Sequence, residues 1–347
     1  MAMRITAVDI FCGAGGLTAG LEAAGVDVRA GFDLDARCAW PYERNTRATF
    51  VREDVERCDA EEVRRWLRGG DVRLLAGCAP CQPFSTYGRT RRKADDRWKL
   101  LKSFARLVRE VRPELLTMEN VPGLERQPVF KEFTATLEDL NYEVAHAIVE
   151  CTDFGVPQRR RRLVLLASRV GPVQMPAPSV RREATVREAI GHLPPLAAGE
   201  VHPEDRLHAA AGMSTLNLER IRASKPGGSW RDWPEHLVAP CHRRRSGCTY
   251  VSVYGRMSWD EPSPTITTQC YGFGNGRFGH PEQDRAISLR EAALLQSFPE
   301  WWQFFPRGER VNFKACGTAI GNAVPPKLGE AIGRQLIKAA KEAVHAA

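Results

Sequence analysis

Short apolar runs alternate with amphipathic segments through the first half of this chain, and that alternation leaves few folds open. Residues 4–11 read Arg-Ile-Thr-Ala-Val-Asp-Ile-Phe, the pattern of a strand buried on both faces. A glycine turn follows at 13–16, then a helical pattern over 17–24. Further strands are expected at 26–32, ending at Asp33, and at 72–76. Residues 99–111 place Leu100, Leu101, Phe104, Leu107, Val108 and Val111 on one helical face. A strand at 115–118 runs into Glu119, a helix covers 130–140, and strands follow at 144–149 and 163–167. Strands in alternation with helices predict an α/β protein with a doubly wound, mostly parallel sheet.

In such sheets ligands sit beyond the carboxyl ends of the strands. Residues 9–16, Asp33, residues 77–85 and Glu119-Asn120 all follow strand ends, so the reading converges them on one rim. After Ser168 the rhythm stops. Residues 171–206 are rich in proline and charge, arginines cluster at 243–245, and glycines recur at 272, 274, 276 and 279. This stretch reads as a second, smaller, irregular and β-rich lobe. Order resumes in a short helix at 288–296 and a last helix from Lys327 to about Val344, which Pro325-Pro326 introduces. The expected organisation is a first domain made of residues 1–168 and 284–347, with a second over 169–283.

Lysine and arginine number 50 against 42 aspartates and glutamates in 347 residues, and the pI is about 9.1. That excess favours a polyanionic partner, nucleic acid first. No apolar run approaches the ~20 residues of a membrane span. The N-terminal segment lacks an apolar signal core, so a cytoplasmic protein is expected. Ten cysteines spread through such a chain argue for free thiols. Cys78 and Cys81 form a Cys-x-x-Cys, and Cys241 and Cys248 flank His242. Neither has a second pair at zinc-site spacing, so no metal is expected.

The first glycine turn, Asp9-Ile-Phe-Cys-Gly-Ala-Gly-Gly-Leu, lets a ligand approach the backbone at Gly13, Gly15 and Gly16. A dinucleotide fingerprint would need another glycine where Thr18 stands. Asp9 repels a pyrophosphate but suits an ammonium, and Asp33 suits ribose hydroxyls. Adenosine carrying a zwitterionic amino acid fits better, and S-adenosylmethionine is such a molecule. The most telling segment is 77–85, Gly-Cys-Ala-Pro-Cys-Gln-Pro-Phe-Ser, where Pro80 fixes the backbone beside the Cys81 thiol. With Glu119 and the arginines of 158–162 it supplies a thiol, a carboxyl and a cation, the parts needed to attack an electron-poor ring. Read singly, Cys81 is a small buried hydrophobe, Glu119-Asn120 a strand-end turn and 159–162 a solvated charge run. Their convergence at one sheet edge favours chemistry.

These residues resemble the cytosine-5 DNA methyltransferases of the bacterial restriction–modification type. The matching blocks run in the family's order: residues 9–16, Asp33, Asp54, residues 77–85, Glu119-Asn120-Val121, residues 158–162, Arg290-Glu291 with 296–299, and residues 321–326. They span nearly the whole chain outside 169–260. Asp33 departs from the glutamate the family often has, and Leu34 stands where an aromatic often packs on adenine.

The resemblance implies a Rossmann-like, S-adenosylmethionine-dependent domain and a target-recognition domain. It makes Cys81 the nucleophile toward carbon 6 of a flipped cytosine. Glu119 would meet ring nitrogen 3, and Arg162 with Arg160 the base carbonyl. The base that removes the carbon-5 proton stays open between a side chain and a bound water or hydroxide. The cofactor would be held by Asp9, Phe11, Gly13, Gly15, Gly16 and Leu17, then by Asp33 and Leu34, Asp54 and Val55, Pro80 and Leu100, and near the far end of the chain by Asn322 and Ala323. Double-stranded DNA would be met by Ala79, Gln82, Ser85 and Asn120 around the thiol. Residues 86–98, hinged at Gly88 and carrying Arg89, Arg91, Arg92 and Lys93, would form a closing loop. Arg243, Arg244 and Arg245 would read phosphates or guanine edges, and Thr265, Thr267 and Thr268 belong to the recognition region. The expected assembly is a monomer, with a cognate restriction endonuclease as a partner. A tRNA-directed methyltransferase, a non-catalytic DNA-binding regulator and a nicotinamide-dependent oxidoreductase are the competing readings.

Overall fold

The structure is a computed structural model that describes residues 3–80 and 98–346. The chain divides into two compact units. The first comprises Met1–Phe154, Arg161–Ser179 and Val324–Ala347, and the second Gly155–Arg160 and Val180–Ala323.

The first unit is built on a seven-stranded sheet. Its strands are β1 (Ile5–Ile10), β2 (Asp27–Asp33), β3 (Thr49–Arg52), β4 (Val72–Gly77), β5 (Leu115–Asn120), β6 (Glu143–Glu150) and β7 (Arg161–Ser168), in the order β3-β2-β1-β4-β5-β7-β6. β3, β2, β1, β4 and β5 pair in parallel, and β7 runs antiparallel to both β5 and β6. The sheet therefore grows outward in two directions from β1 and β4, which makes their shared edge the topological switch point. β1 and β5 are buried along their whole lengths, including the polar Thr6, Asp9, Thr117, Glu119 and Asn120.

The helices of this unit are α1 (Gly16–Ala24), α2 (Ala39–Asn45), α3 (Ala60–Trp66), α4 (Lys99–Val111) and α5 (Pro128–Asp139), with a last helix at Pro326–Ala346. α3, α4 and α5 bring Val63, Phe104, Leu107, Val108, Phe133 and Leu137 into one cluster with Val8, Ile10, Phe32, Leu75, Leu116 and Met118 from the strands. α4 repeats its apolar residues at helical spacing, so one face is buried and the other carries Lys102, Arg109 and Glu110. β3, α2 and α3 are elements that periodicity alone did not reveal.

The second unit contains α6 (Val186–Ile190), α7 (Thr215–Ala223), α8 (Leu289–Leu295) and α9 (Phe313–Asn322), after which Pro326–Ala346 is α10. The expectation of a β-rich lobe over 169–283 is not met. Among its described residues there is no β-strand, only isolated bridges such as Val201↔Ala209 and Arg256↔Gly279. The physical reason lies in the buried arginines of the second unit. Arg256 donates to the carbonyls of Ile221, Ser224, His280 and Gln283. Arg285, fully buried, pairs with both oxygens of Glu291 at 2.7 Å and donates to the Leu196 and Ala286 carbonyls. Side chains thus satisfy the buried carbonyls that a ladder would otherwise serve. A cluster of Ile221, Trp230, Trp233, Leu237, Val253 and Phe273 supplies the apolar part of this core.

Candidate active site

The first half of the site lies where β1 and β2 end. Phe11, Gly13 and Gly15 take positive φ of 63°, 53° and 91°, so the chain doubles back tightly after β1. The Phe11 and Cys12 amides donate to the Phe32 carbonyl at 2.8 and 3.1 Å and tie this turn to β2. Asp33 then braces it, accepting from the Gly13 amide at 3.0 Å and from the Asp35 amide at 2.9 Å. Burial raises the Asp33 carboxyl above its ordinary value, and these amides oppose that rise. α1 starts at Gly16 with no side-chain cap, so its first-turn N–H groups lack a capping side chain.

Asp9 is fully buried. Its Oδ2 accepts a 2.8 Å hydrogen bond from Thr18 Oγ1, which lies 3.0 Å from the Tyr42 hydroxyl on α2. Its Oδ1 is buried without a hydrogen-bond partner. Burial, reinforced by the negative charge of Asp33, lifts the Asp9 carboxyl to about 7. The sequence reading took Thr18 only as a missing glycine. Here it is the partner of Asp9, and its spacing of nine residues across a strand–turn–helix was the available signal.

Leu17 is buried, whereas Leu34 is 60 % exposed, an apolar side chain left open beside Asp33. After β3, Asp54 Oδ1 accepts from the Glu56 amide at 3.0 Å and shapes the next turn, while Val55 joins the core cluster. Pro80 is exposed and Leu100, on α4, half-buried. Asn322 is exposed and Ala323 half-buried, both in the second unit.

The second half of the site lies where β4, β5 and β7 meet. Glu119 is buried near the end of β5, in register with Val164 of β7. Its Oε1 lies 2.8 Å from Arg162 Nε, and its Oε2 accepts from Cys78 Sγ at 2.9 Å. Arg162 also donates to the Arg161 carbonyl. Asn120, buried next door, donates from Nδ2 to the Ala79 carbonyl at 2.9 Å and accepts the Val121 amide at the same distance. The loop that leaves β4 is thus fastened to the end of β5 two residues before Cys81. Cys81, Gln82, Ser85, Gly88 and Arg89 lie outside the described residues, as do Arg91, Arg92 and Lys93.

Arg160 belongs to the second unit and is buried there. Its guanidinium donates to the carbonyls of Ile266 and Gly321 at 3.0 Å and of Ala323 at 3.3 Å. Gln158 beside it accepts the Ile266 amide at 2.8 Å and donates to the Gln296 side chain, which in turn donates to the Ala323 carbonyl. Thr265 donates from its hydroxyl to the Arg159 carbonyl at 2.8 Å. The backbone of Thr267 and Thr268 packs directly on Gly321 of α9. Arg243, Arg244 and Arg245 are exposed together on one turn. No helix among the described residues is long and apolar enough to cross a membrane.

A carboxyl–arginine pair and a buried aspartate thus lie at the carboxyl ends of a doubly wound α/β sheet. The model of the C-5 cytosine-specific DNA methylases matches residues 5–338, and the chain belongs to that family. It is 48% identical over 343 residues to the Type II methylase M.HgiDII of Herpetosiphon aurantiacus, covering 97% of this chain and 96% of the relative. Over 343 residues it is 35% identical to the Type II methyltransferase M1.HphI of Haemophilus parahaemolyticus, covering 97% and 87%. Among solved structures, a DNA modification methyltransferase encoded within an E. coli prophage superposes with a TM-score of 0.75 at 22% identity, covering 97% of this chain and 100% of that one. That likeness concerns the fold. The protein is therefore an enzyme, a DNA (cytosine-5-)-methyltransferase.

Proposed function

We propose that this enzyme takes its methyl group from S-adenosylmethionine and delivers it to carbon 5 of a cytosine swung out of duplex DNA, through a transient bond to Cys81. The observation that carries the reading is the Glu119–Arg162 pair at the end of β5, beside the Asn120–Ala79 tie that fastens the loop leading to Cys81.

The first half of the site fits the cofactor. Asp9 offers a buried carboxylate oxygen without a partner, which suits an ammonium. Asp33 keeps accepting capacity for hydroxyls beyond its two amide bonds. Leu34 offers an apolar face for a purine. S-adenosylmethionine, when bound, supplies an electrophilic methyl.

This chain's residues do the rest. Carbon 5 of cytosine is a weak nucleophile until carbon 6 is attacked. Cys81 would add there as the thiolate, the reactive form of a group with pKa ~8.5. Glu119 would share or donate its proton at ring nitrogen 3 as charge builds on the ring. Arg162 orients Glu119 and limits the charge left on it. After methylation a base removes the carbon-5 proton, and the carbon–sulfur bond breaks to return the thiolate. Asn120 holds the Ala79 carbonyl, whose second lone pair would accept from the exocyclic amine and so distinguish cytosine from thymine. Arg160 acts at one remove, because its guanidinium already serves protein carbonyls.

Sequence reading falls to the second unit, where the exposed Arg243–Arg245 turn meets phosphates or guanine edges. The Type II relatives favour a role in restriction–modification beside a cognate endonuclease. The test is Cys81→Ser together with duplex DNA containing 5-fluorocytosine. The variant should bind duplex DNA but not methylate it, and the wild type should form a covalent adduct only with cofactor present. A methylating Cys81→Ser enzyme, or tRNA methylated in preference to duplex DNA, refutes the proposal.

A further inference from the structure

We propose that Cys78 is a positioning residue for Glu119, its thiol holding the carboxyl in the orientation from which it meets ring nitrogen 3. The inference rests on the role given to Glu119 above. It gives a task to the half of the Cys-x-x-Cys that the reaction otherwise leaves idle.

The sheet order sets up the contact. β5 lies between β4 and β7, so its end is flanked by the residue after β4 and the start of β7. Cys78 comes from one side and Arg162 from the other. Each takes one carboxylate oxygen of Glu119, at 2.9 Å from Sγ and 2.8 Å from Nε. The last torsion of a glutamate is broad and nearly two-fold, so a partner on one oxygen leaves the carboxyl plane free to turn. Partners on both oxygens fix it.

A thiol suits this position better than a hydroxyl. It is a weak donor to a carboxylate and a weak acceptor from a carboxylic acid, so it holds Glu119 in both protonation states. A hydroxyl or amide would stabilise the carboxylate more strongly and oppose the protonation that the reaction needs. Among the described residues, the charged groups acting on Cys78 are Glu119, Arg162 and Asp9. Burial first, then the negative charge of Glu119, hold the thiol well above its ordinary pKa, so it keeps its proton to donate.

The experiment compares Cys78→Ser, Cys78→Ala and Glu119→Gln in the full chain. It measures methyl incorporation into unmethylated bacterial genomic DNA from about pH 6 to about pH 9, with kcat and KM separated. Cys78→Ala should lower kcat about tenfold with KM for DNA little changed. Cys78→Ser should lower kcat less than Cys78→Ala does, and its loss should deepen as pH rises, because a hydroxyl favours a carboxylate partner more strongly than a thiol does. A residue that only fills space would give a loss that does not change with pH. If Cys78→Ala fails to fold, Cys78→Ser, which preserves size and a donor, decides alone. Wild-type kcat and pH profiles in the folded Cys78 variants, with Glu119→Gln inactive, overturn the proposal. An active Glu119→Gln overturns the reading of Glu119 itself.

Discussion

Replacing Asp9 by asparagine should make the ligand-free protein less sensitive to alkali. Asp9 is wholly buried, with one oxygen on Thr18 and the other unpartnered. Its carboxyl is raised from 3.8 to about 7, burial being the leading cause. At ~1.36 kcal/mol per pH unit, that difference is worth about 4 kcal/mol. The sign follows from which state holds the proton more tightly, and here it is the folded one. Its contribution is therefore complete below about pH 4, declines as pH rises and is lost above about 7. Asparagine does not titrate and still accepts from Thr18. Between pH 5 and 8 the wild type should thus lose about 3 kcal/mol relative to Asp9→Asn. Urea denaturation of both proteins without ligand, at several pH values, measures the difference. Curves of stability against pH that run parallel would refute the burial argument. Saturating S-adenosylmethionine at pH 8 should then stabilise the wild type more than the variant, because an ammonium partners the buried charge. Equal stabilisation would detach Asp9 from the cofactor and leave its burial intact.

Two further changes probe the second unit. In Gly321→Ala, the new Cβ would lie 2.4 Å from the Thr267 carbonyl carbon and the Thr268 amide nitrogen. Those neighbours are backbone, so α9 must shift, at a cost of ~1–3 kcal/mol. A lowered urea midpoint with an unchanged m-value is expected, and an unchanged midpoint would contradict the close packing. Arg160→Met would strip the Ile266 and Gly321 carbonyls of a buried donor, at ~1–3 kcal/mol for each carbonyl left unsatisfied. Loss of stability together with activity is expected. A fully stable but inactive variant would instead put Arg160 on the substrate.

Legibility tracked how local the stabilising interactions are. β1, β2, β4 and β5 were visible because largely buried strands are rich in apolar residues, and α4 because its periodicity is clean. β3 is short and partly exposed, α2 contains Pro41, and Ala60–Trp66 carries four charges in seven residues. None of these offers a hydrophobic period. α9 has few large apolar residues because its glycines lie against another backbone, so close approach replaced the apolar stripe that marks a helix. In the second unit the failure has a different cause. Arg256 and Arg285 each bind carbonyls and a carboxylate, the farthest of them 89 residues away in sequence. A charged residue that is buried looks, one residue at a time, like a charged residue at the surface.

The same logic separates the parts of the site that could be read from those that could not. Asp33 ends its strand and Asp9 and Glu119 lie one residue before the ends of theirs, so their convergence follows from sheet topology before any contact is known. Their partners do not follow in the same way. Glu119 meets Cys78 only because β4 lies beside β5, and Arg162 only because β7 returns antiparallel on the other side. Without that reversal, the start of β7 would lie at the opposite end of the sheet, and Arg162 would be a strand length away from the carboxyl it now touches. The antiparallel course of β7 is therefore what gives the carboxyl at the end of β5 its cationic partner.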